Sequence, residues 1–234
     1  LIKKIRKSLN DGHNVVVTSG LVKALGKEFQ DLAEIEYTGN RIAVTSFHGV
    51  NGNPVPNSEL NTPILFPELT FITNDSWYVL AGLANGNGYP ILLSNKYSRG
   101  TIYILTIPDA FTDLYNMPPG ALALIRNTLC QNLPVTLTTN TPSYVSLFVY
   151  DNRTFIVQNF ADEEKPVSVA VSGAGSLKNL LTGETVSPAT APGGGRGFGG
   201  GFGGGIGGAG RGGPPRTTFT MSVPAHSWVA FGAQ

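Results

Sequence analysis

The sequence predicts two folds in one chain, an α/β domain at residues 1–133 followed by an antiparallel β-sandwich at residues 134–234. Three observations predict this. Helix and strand patterns alternate before Pro134, only short strand patterns follow it, and a glycine-rich stretch interrupts the second part. Alternating helices and strands are typical of α/β folds, and about seven short strands in succession are typical of sandwiches.

The first elements form a helix–strand–helix unit. An amphipathic helix places its apolar side chains on one stripe, from Leu1 to Leu9, and Gly12 is expected to be its left-handed C-cap. The apolar run Val15–Val17 is typical of a strand buried on both faces. Ser19 is then expected to cap a second helix over residues 21–29.

Strand patterns fill most of the remaining first domain. We expect a hairpin over residues 35–47 that turns at residues 38–40, then a long loop over residues 48–63. A helix should begin at Pro118-Pro119, because proline is favoured in the first turn. The other strand-like runs are Leu69–Thr73, Trp77–Leu83, Ile91–Ser94 and Thr101–Ile107, the last two joined by a turn at Asn95–Gly100.

Seven strands are predicted after Pro134, and Asp151-Asn152 predicts a two-residue hairpin turn because both residue types tolerate positive φ. The strand-like runs are Val135–Thr139, Tyr144–Tyr150, Thr154–Phe160, Val167–Val171, Leu177–Leu180, Thr217–Val223 and Ser227–Gly232.

A glycine-rich loop at residues 188–216 interrupts the sandwich. Residues 193–213 hold fifteen of the thirty glycines, and they carry too few large side chains to offset the entropy lost on ordering. We interpret the loop as a spacer. The alternative is an Arg-Gly-rich interaction segment, but Arg196, Arg211 and Arg216 could neutralise few phosphates.

The composition argues against several classes of partner. The net charge of +1 does not favour nucleic acid, and no apolar run approaches the roughly 20 residues of a membrane span. With one cysteine and three scattered histidines, the sequence predicts no metal site and no cofactor.

Short motifs carry a resemblance to one group of enzymes. The runs SLNDGHNVVVTSG at residues 8–20 and YPILLSNKYSRGTIYIL at residues 89–105 resemble parts of the amidotransferase-like, flavodoxin-type domain that follows the catalytic barrel in β-galactosidases with a trimerisation domain. The runs LLTGE at residues 180–184 and VPAHSWVAF at residues 223–231 are similar to patterns in the small β-sandwich that closes those chains.

The resemblance implies a non-catalytic C-terminal region of a larger glycoside-hydrolase-like protein. The α/β domain would be incomplete, because its expected first strand would precede Leu1. The implied partners are an upstream catalytic domain and further copies of the same protein in a homo-oligomer. The parent protein is expected to be periplasmic or extracellular.

No residue is predicted to be catalytic. An amidotransferase needs a cysteine at a sharp strand-to-helix turn, and the matching turn contains Ser19 instead. Cys130 ends an apolar helix and is expected to be a packing residue. Glycoside hydrolysis needs two opposed carboxylates, and the acids near aromatic strands show no such pairing in the sequence. These acids are Glu68, Asp75, Asp109 and Asp113.

Aromatic side chains supply a second hypothesis, a carbohydrate-binding module. Flat apolar rings can stack on pyranose C–H surfaces, and the candidate contacts for carbohydrate or for a protein partner are Phe111, Tyr115, Met117, Trp77 and Tyr97. Of these, Phe111, Tyr115 and Met117 are expected to be the most exposed. Trp228 is expected to lie in the core of the final strand.

Overall fold

The computed structural model describes residues 1–49, 52–71, 82–85, 89–138, 141, 143–189 and 215–234. They divide into two units, Leu1–Gln131 and Asn132–Gln234. The first is a mixed α/β unit and the second is a β-sandwich, in agreement with the predicted fold classes.

The elements of the first unit follow in chain order. The helices are α1 (Ile2–Asn10), α2 (Ser19–Leu25), α3 (Lys27–Ala33) and α4 (Pro119–Leu129), and a short 3₁₀ helix spans Phe111–Asn116. The strands are β1 (Val15–Thr18), β2 (Ile35–Val44), β3 (Phe47–His48), β4 (Ile64–Phe71), β5 (Gly82–Asn85), β6 (Pro90–Tyr97) and β7 (Gly100–Leu105).

A five-stranded sheet in the order β1-β7-β6-β5-β3 organises the first unit. The β1–β7 pair is parallel, and the other pairs are antiparallel. One apolar cluster joins Leu93 and Ile102 of the sheet to side chains of α1, α2 and α3. A second cluster joins Ile91 and Leu92 to Ala121 of α4. The two clusters make this unit a helix–sheet–helix arrangement.

The β1 strand is not buried on both faces as predicted. In the described part of the chain β1 pairs with β7 alone, and Val16 is 46% exposed. The run of three valines therefore marks an edge strand with one covered face.

The predicted second helix is two helices. Gly26 has φ +50 and separates α2 from α3, because this backbone conformation cannot continue a right-handed helix. Ser19 does not cap a helix. Its buried hydroxyl donates to the Ile107 carbonyl at 3.3 Å and accepts from the Ile107 N–H at 3.1 Å, which fixes the end of β1 beside the segment after β7.

The predicted hairpin at residues 35–47 is one long strand with a bulge. Strand β2 pairs antiparallel with β4, and the register shifts between Tyr37 and Arg41. Gly39 has φ +88, which glycine adopts without strain. Most of the predicted strand Trp77–Leu83 lies outside the described residues. The predicted hairpin of β6 and β7 is present, with a turn at Ser98-Arg99.

The second unit consists of two antiparallel sheets, ordered β13-β12-β15-β10-β9 and β14-β11-β8. Their inner faces share a core that includes Phe155, Val169, Phe219 and Phe231. The strands are β8 (Val135–Leu137), β9 (Val145–Val149), β10 (Thr154–Asn159), β11 (Lys165–Ser172), β12 (Leu177–Asn179), β13 (Thr185–Val186), β14 (Arg216–Val223) and β15 (Ser227–Ala233).

The turn between β9 and β10 is longer than predicted. Tyr150 N–H donates to the Thr154 carbonyl, which closes a three-residue loop, and the positive φ of +64 falls on Arg153. The Arg153 guanidinium donates to the Gly173 carbonyl at 3.0 Å. The positive φ thus lies on Arg153, whereas the sequence predicted it for Asp151 and Asn152.

Candidate interaction surfaces

The predicted contact residues of the first unit differ in their exposure to solvent. Phe111 and Tyr115 lie on the 3₁₀ helix and are 69% and 54% exposed. Met117 is only 3% exposed and belongs to the cluster around Ile91, so the prediction that it is exposed is wrong. Tyr97 is partly buried against the other cluster. Trp77 lies outside the described residues.

Two of the acidic candidates, Glu68 and Asp109, have structural roles. Glu68 accepts hydrogen bonds from Thr38 and Asn40 at 2.8 and 2.9 Å, which lower the pKa of its carboxyl. The Asp109 carboxylate pairs with the Arg41 guanidinium at 2.8 Å. An ionised Glu68 cannot donate the proton that a leaving sugar requires. Asp75 lies outside the described residues.

Cys130 does not offer an activated thiol. Cys130 is half-buried at the end of α4, and burial raises the pKa of its thiol, although the charge of Arg126 opposes that shift. A raised pKa leaves little thiolate at neutral pH. Among the described residues no three His, Cys, Asp or Glu side chains lie close enough to hold a metal ion.

The sandwich carries an exposed row of aromatic residues that the sequence analysis did not select. Val145, Leu147 and Val149 of β9 face the core, so the alternate side chains face outward. Tyr144, Phe148 and Tyr150 all have this outward phase and are exposed.

The neighbouring strands extend this row across the five-stranded sheet. Phe160 lies opposite Tyr144, and Trp228 of β15 lies beside Gln158 of β10. Both Phe160 and Trp228 are exposed, and Trp228, at 46%, is not in the core as predicted. We call the surface that carries Tyr144, Phe148, Tyr150, Phe160 and Trp228 the aromatic face.

An aliphatic row crosses the middle of the aromatic face. Ile156 of β10 pairs in register with Phe148 on one side and Ala230 on the other. Leu180 is hydrogen-bonded to Ala230 through its backbone N–H. Its side chain lies over β15, because a Cβ added to Gly232 would be 3.5 Å from Leu180 Cδ2. The row therefore joins four strands.

The outer face of the other sheet has a different chemistry. Ser168 and Thr220 lie opposite each other with their hydroxyl oxygens 2.8 Å apart, and Thr218 and Ser222 are exposed on the same strand. We call this surface the hydroxyl face. Polar outer faces are the usual state of a sandwich in water. The aromatic face departs from that state.

None of the helices in the described part of the chain is long and apolar enough to cross a bilayer. Of the three arginines of the glycine-rich segment, Arg216 alone lies among the described residues. It donates to Thr136 Oγ1 at 2.7 Å and to the Leu133 carbonyl at 3.0 Å.

Comparison with known families identifies the second unit. Residues 136–233 match the model described as the C-terminal domain of a probable glycosyl hydrolase. Residues 1–110 match the model for the second domain of the uncharacterized protein SSO3021. The match of residues 136–233 confirms, for the second unit, the resemblance stated from the sequence motifs. No curated protein matches the chain.

Several solved β-galactosidases are similar to the chain over part of their length. The enzyme of Bacillus circulans sp. alkalophilus shows 20% identity over 100% of this chain and 31% of its own, with a TM-score of 0.45. Gan42B, a GH42 enzyme of G. stearothermophilus, shows 13% identity over 100% and 30%, with a TM-score of 0.45. The Rahnella enzyme shows 15% identity over 100% and 30%, with a TM-score of 0.42. The chain spans about a third of their length.

Proposed function

We propose that this chain is the non-catalytic C-terminal region of a larger glycoside-hydrolase-like protein and supports the assembly of that protein. The observation that carries the proposal is the match of residues 136–233 to a C-terminal glycosyl hydrolase domain. The partners of Glu68 and Asp109 support it, because both carboxylates are engaged in holding the fold. The proposed partners are an upstream catalytic domain and other copies in a homo-oligomer.

The finer interpretation of the first unit belongs to this proposal. We take it as an amidotransferase-like domain in which Ser19 occupies the position of the nucleophile. The hydrogen bonds between the Ser19 hydroxyl and the Ile107 backbone support a structural role for Ser19, which is to hold the end of β1 beside the segment after β7. Export of the parent protein to the periplasm or the extracellular space is also proposed, and cell fractionation of the natural producer would test it.

The experiment compares the 234-residue chain with the full-length polypeptide of its gene. Both are assayed with aryl β-glycosides and with glutamine. We expect turnover of a glycoside by the full-length polypeptide alone. Turnover by the shorter chain that survives repurification and is lost in Glu68→Gln, Asp109→Asn or Cys130→Ala would contradict the non-catalytic role.

A second candidate function is carbohydrate binding through the loop aromatics. The exposure of Phe111 and Tyr115, two neighbouring rings on one 3₁₀ helix, favours it. Retardation of the chain in gels that contain a soluble polysaccharide, and its loss in Phe111→Ala with Tyr115→Ala, would support this function. An unchanged mobility would exclude those two rings as a sugar site for the polysaccharides used.

A further inference from the structure

The aromatic face has the properties of a covered surface. From these we infer that it packs against a domain that precedes this chain in the same polypeptide. This inference rests on the proposed function, because it requires an upstream domain. The inference adds to the proposed function the surface by which the C-terminal region would contact the upstream domain.

The contrast between the two outer faces of the sandwich is the first argument. Both sheets belong to one unit, so the same solvent would act on both faces if both were free. The hydroxyl face has the serine and threonine side chains that solvation favours, such as Thr218 and Thr220. The aromatic face exposes Phe148 and Trp228 instead. An exposed apolar patch of a few hundred Å² is often functional.

The chemistry of the face favours a protein occupant over a carbohydrate. Interface cores are enriched in aromatic residues and depleted in charged ones. Lys178 is the one charged residue at the outward strand positions that the structure describes on β9, β10, β12 and β15. Polar residues at outward positions of the same strands include Ser146, Thr154 and Gln158. The centre, however, is the apolar row from Leu180 to Phe148, which offers no hydrogen-bonding side chain to sugar hydroxyls. An apolar protein surface complements it.

The size of the face favours an occupant within the same polypeptide. Four strands cover about 14 Å, and the six steps from Tyr144 to Tyr150 cover about 20 Å. The resulting area of roughly 300 Å² is below the ~800 Å² that each partner of a stable complex buries. Counted over both partners, the buried area would be roughly 600 Å², which is the lower end for domain interfaces within one chain. Such a small interface suffices there because the linker supplies a high effective concentration.

Hydroxyl-radical footprinting of the full-length polypeptide tests the inference. Oxidation of Phe148, Tyr150 and Trp228 is followed by mass spectrometry in the full-length polypeptide and in the 234-residue chain. We expect oxidation at least roughly fivefold slower in the full-length polypeptide, because a desolvated interface core excludes water. Equal rates in both would overturn the inference. Protection that appears in the shorter chain as its concentration rises would overturn it in favour of a second copy.

A matched pair of variants separates packing of the face from stability of the sandwich. The test variant combines Phe148→Ser with Trp228→Ser, and the control combines Phe111→Ser with Tyr115→Ser, which removes a similar exposed aromatic surface elsewhere. Both variants are first melted as the 234-residue chain, because Phe148 and Trp228 are only 45% and 46% exposed and their replacement also removes apolar area buried on the sandwich. In the full-length polypeptide the test variant should speed limited proteolysis of the sandwich at least roughly fivefold more than it does in the 234-residue chain, and the control should not. Equal proteolysis of both full-length variants would contradict the inference.

Two further outcomes distinguish the possible failures. Binding of the 234-residue chain to a soluble polysaccharide, abolished by Trp228→Ser, would assign the face to carbohydrate and overturn the inference. A full-length polypeptide that hydrolyses aryl glycosides but leaves Trp228 as reactive as in the shorter chain would retain the proposed function and reject this surface. If the gene encodes no upstream domain, both the proposed function and the inference about the aromatic face are wrong.

Discussion

Single buried polar side chains fasten segments that are far apart in the sequence. Tyr89 is an example. Its hydroxyl donates to the Pro67 carbonyl at 2.6 Å and accepts from the Leu69 N–H, so it joins the start of β6 to β4. Burial raises the pKa of Tyr89 to about 12.

Replacement of Tyr89 by phenylalanine should destabilise the first unit by about 1–3 kcal/mol at pH 7, because it leaves a buried carbonyl and N–H without this partner. The wild type should also lose stability as pH rises from about 10 to about 12. In that range the unfolded tyrosine has released a proton that the folded one retains.

Denaturant unfolding at several pH values measures both effects. Tyr89→Phe should remove part of the loss of stability above pH 10. An alkaline transition that is identical in wild type and Tyr89→Phe would show that this hydroxyl does not carry the linkage.

Asn159 has the corresponding role in the sandwich. It is fully buried, and its amide donates to the carbonyls of Glu163, Val223 and Pro224 at 2.8, 3.0 and 3.1 Å while accepting from the Ala161 N–H at 2.9 Å. We expect Asn159→Ala to lower the free energy of unfolding by roughly 2–4 kcal/mol. Urea titration checks this, with Gln158→Ala as the control on the neighbouring outward residue. Similar midpoints for the two variants would contradict it.

At the scale of secondary structure, patterns local in sequence were predictable and long-range choices were not. The ends of α4 and the hairpin of β6 and β7 were found because proline and the apolar periodicity act locally. Residues 38–40 form a bulge instead of a turn because β2 pairs with β4, some thirty residues away. That choice depends on tertiary pairing.

The aromatic face shows why one strand pattern can mislead. In β9 both phases carry large apolar residues, with Ser146 the one polar residue of the strand, so alternation alone is a weak guide to which side is inward. In β15 the alternation does distinguish the inward side from the outward side, since Val229 and Phe231 share the side opposite Trp228. The outward position of Trp228 could therefore have been predicted. The burial of Met117 could not, because it depends on the cluster around Ile91.

Replacement of Gly120 in α4 by alanine changes the stability through two opposing effects, helix propensity and steric contact. Helix propensity favours Gly120→Ala by up to about 1 kcal/mol. A Cβ at this position, however, would lie 1.9 Å from the Pro56 carbonyl oxygen, and the Gly120 N–H donates to the Asn57 carbonyl at 3.0 Å. The contact must break or the loop must move, so we expect a net destabilisation of about 2 kcal/mol or more.

Thermal melting decides the sign for Gly120→Ala. Gly175→Ala is the matched control, because its Cβ would meet no atom within 4 Å and its φ is not positive. The control should melt at or slightly above the wild-type temperature. A Gly120→Ala variant that melts higher than the wild type would show that α4 does not need this close approach.

At the scale of the whole chain, the glycine-rich loop connects the two sheets of the sandwich. The sequence predicts that the two strands flanking it, Leu177–Leu180 and Thr217–Val223, pair with each other. This prediction is wrong, because β12 pairs with β13 and β15 while β14 pairs with β11 and β8. Residues 190–214 lie outside the described part. Their flanks are close together, since the Ala189 N–H donates to the Thr218 carbonyl, three residues beyond Pro215. A gap of roughly 10 Å needs only about four residues.

Replacement of residues 190–214 by a short Asn-Gly turn should raise the free energy of unfolding by roughly 1–2 kcal/mol, because a shorter loop costs less entropy to close. Thermal melting and light scattering of the two chains provide the measurement. A fall in melting temperature, or the loss of an oligomer, would show that Phe198, Phe202 or Ile206 makes contacts that the spacer interpretation denies.

The nearness of Ala189 and Pro215 has a practical consequence for engineering. Two chain ends that lie close together on a folded scaffold form a suitable entry point for another protein. A fluorescent reporter whose termini adjoin could replace the connection between them. New termini could also be opened there by circular permutation, with the sheet pairing on both sides left intact.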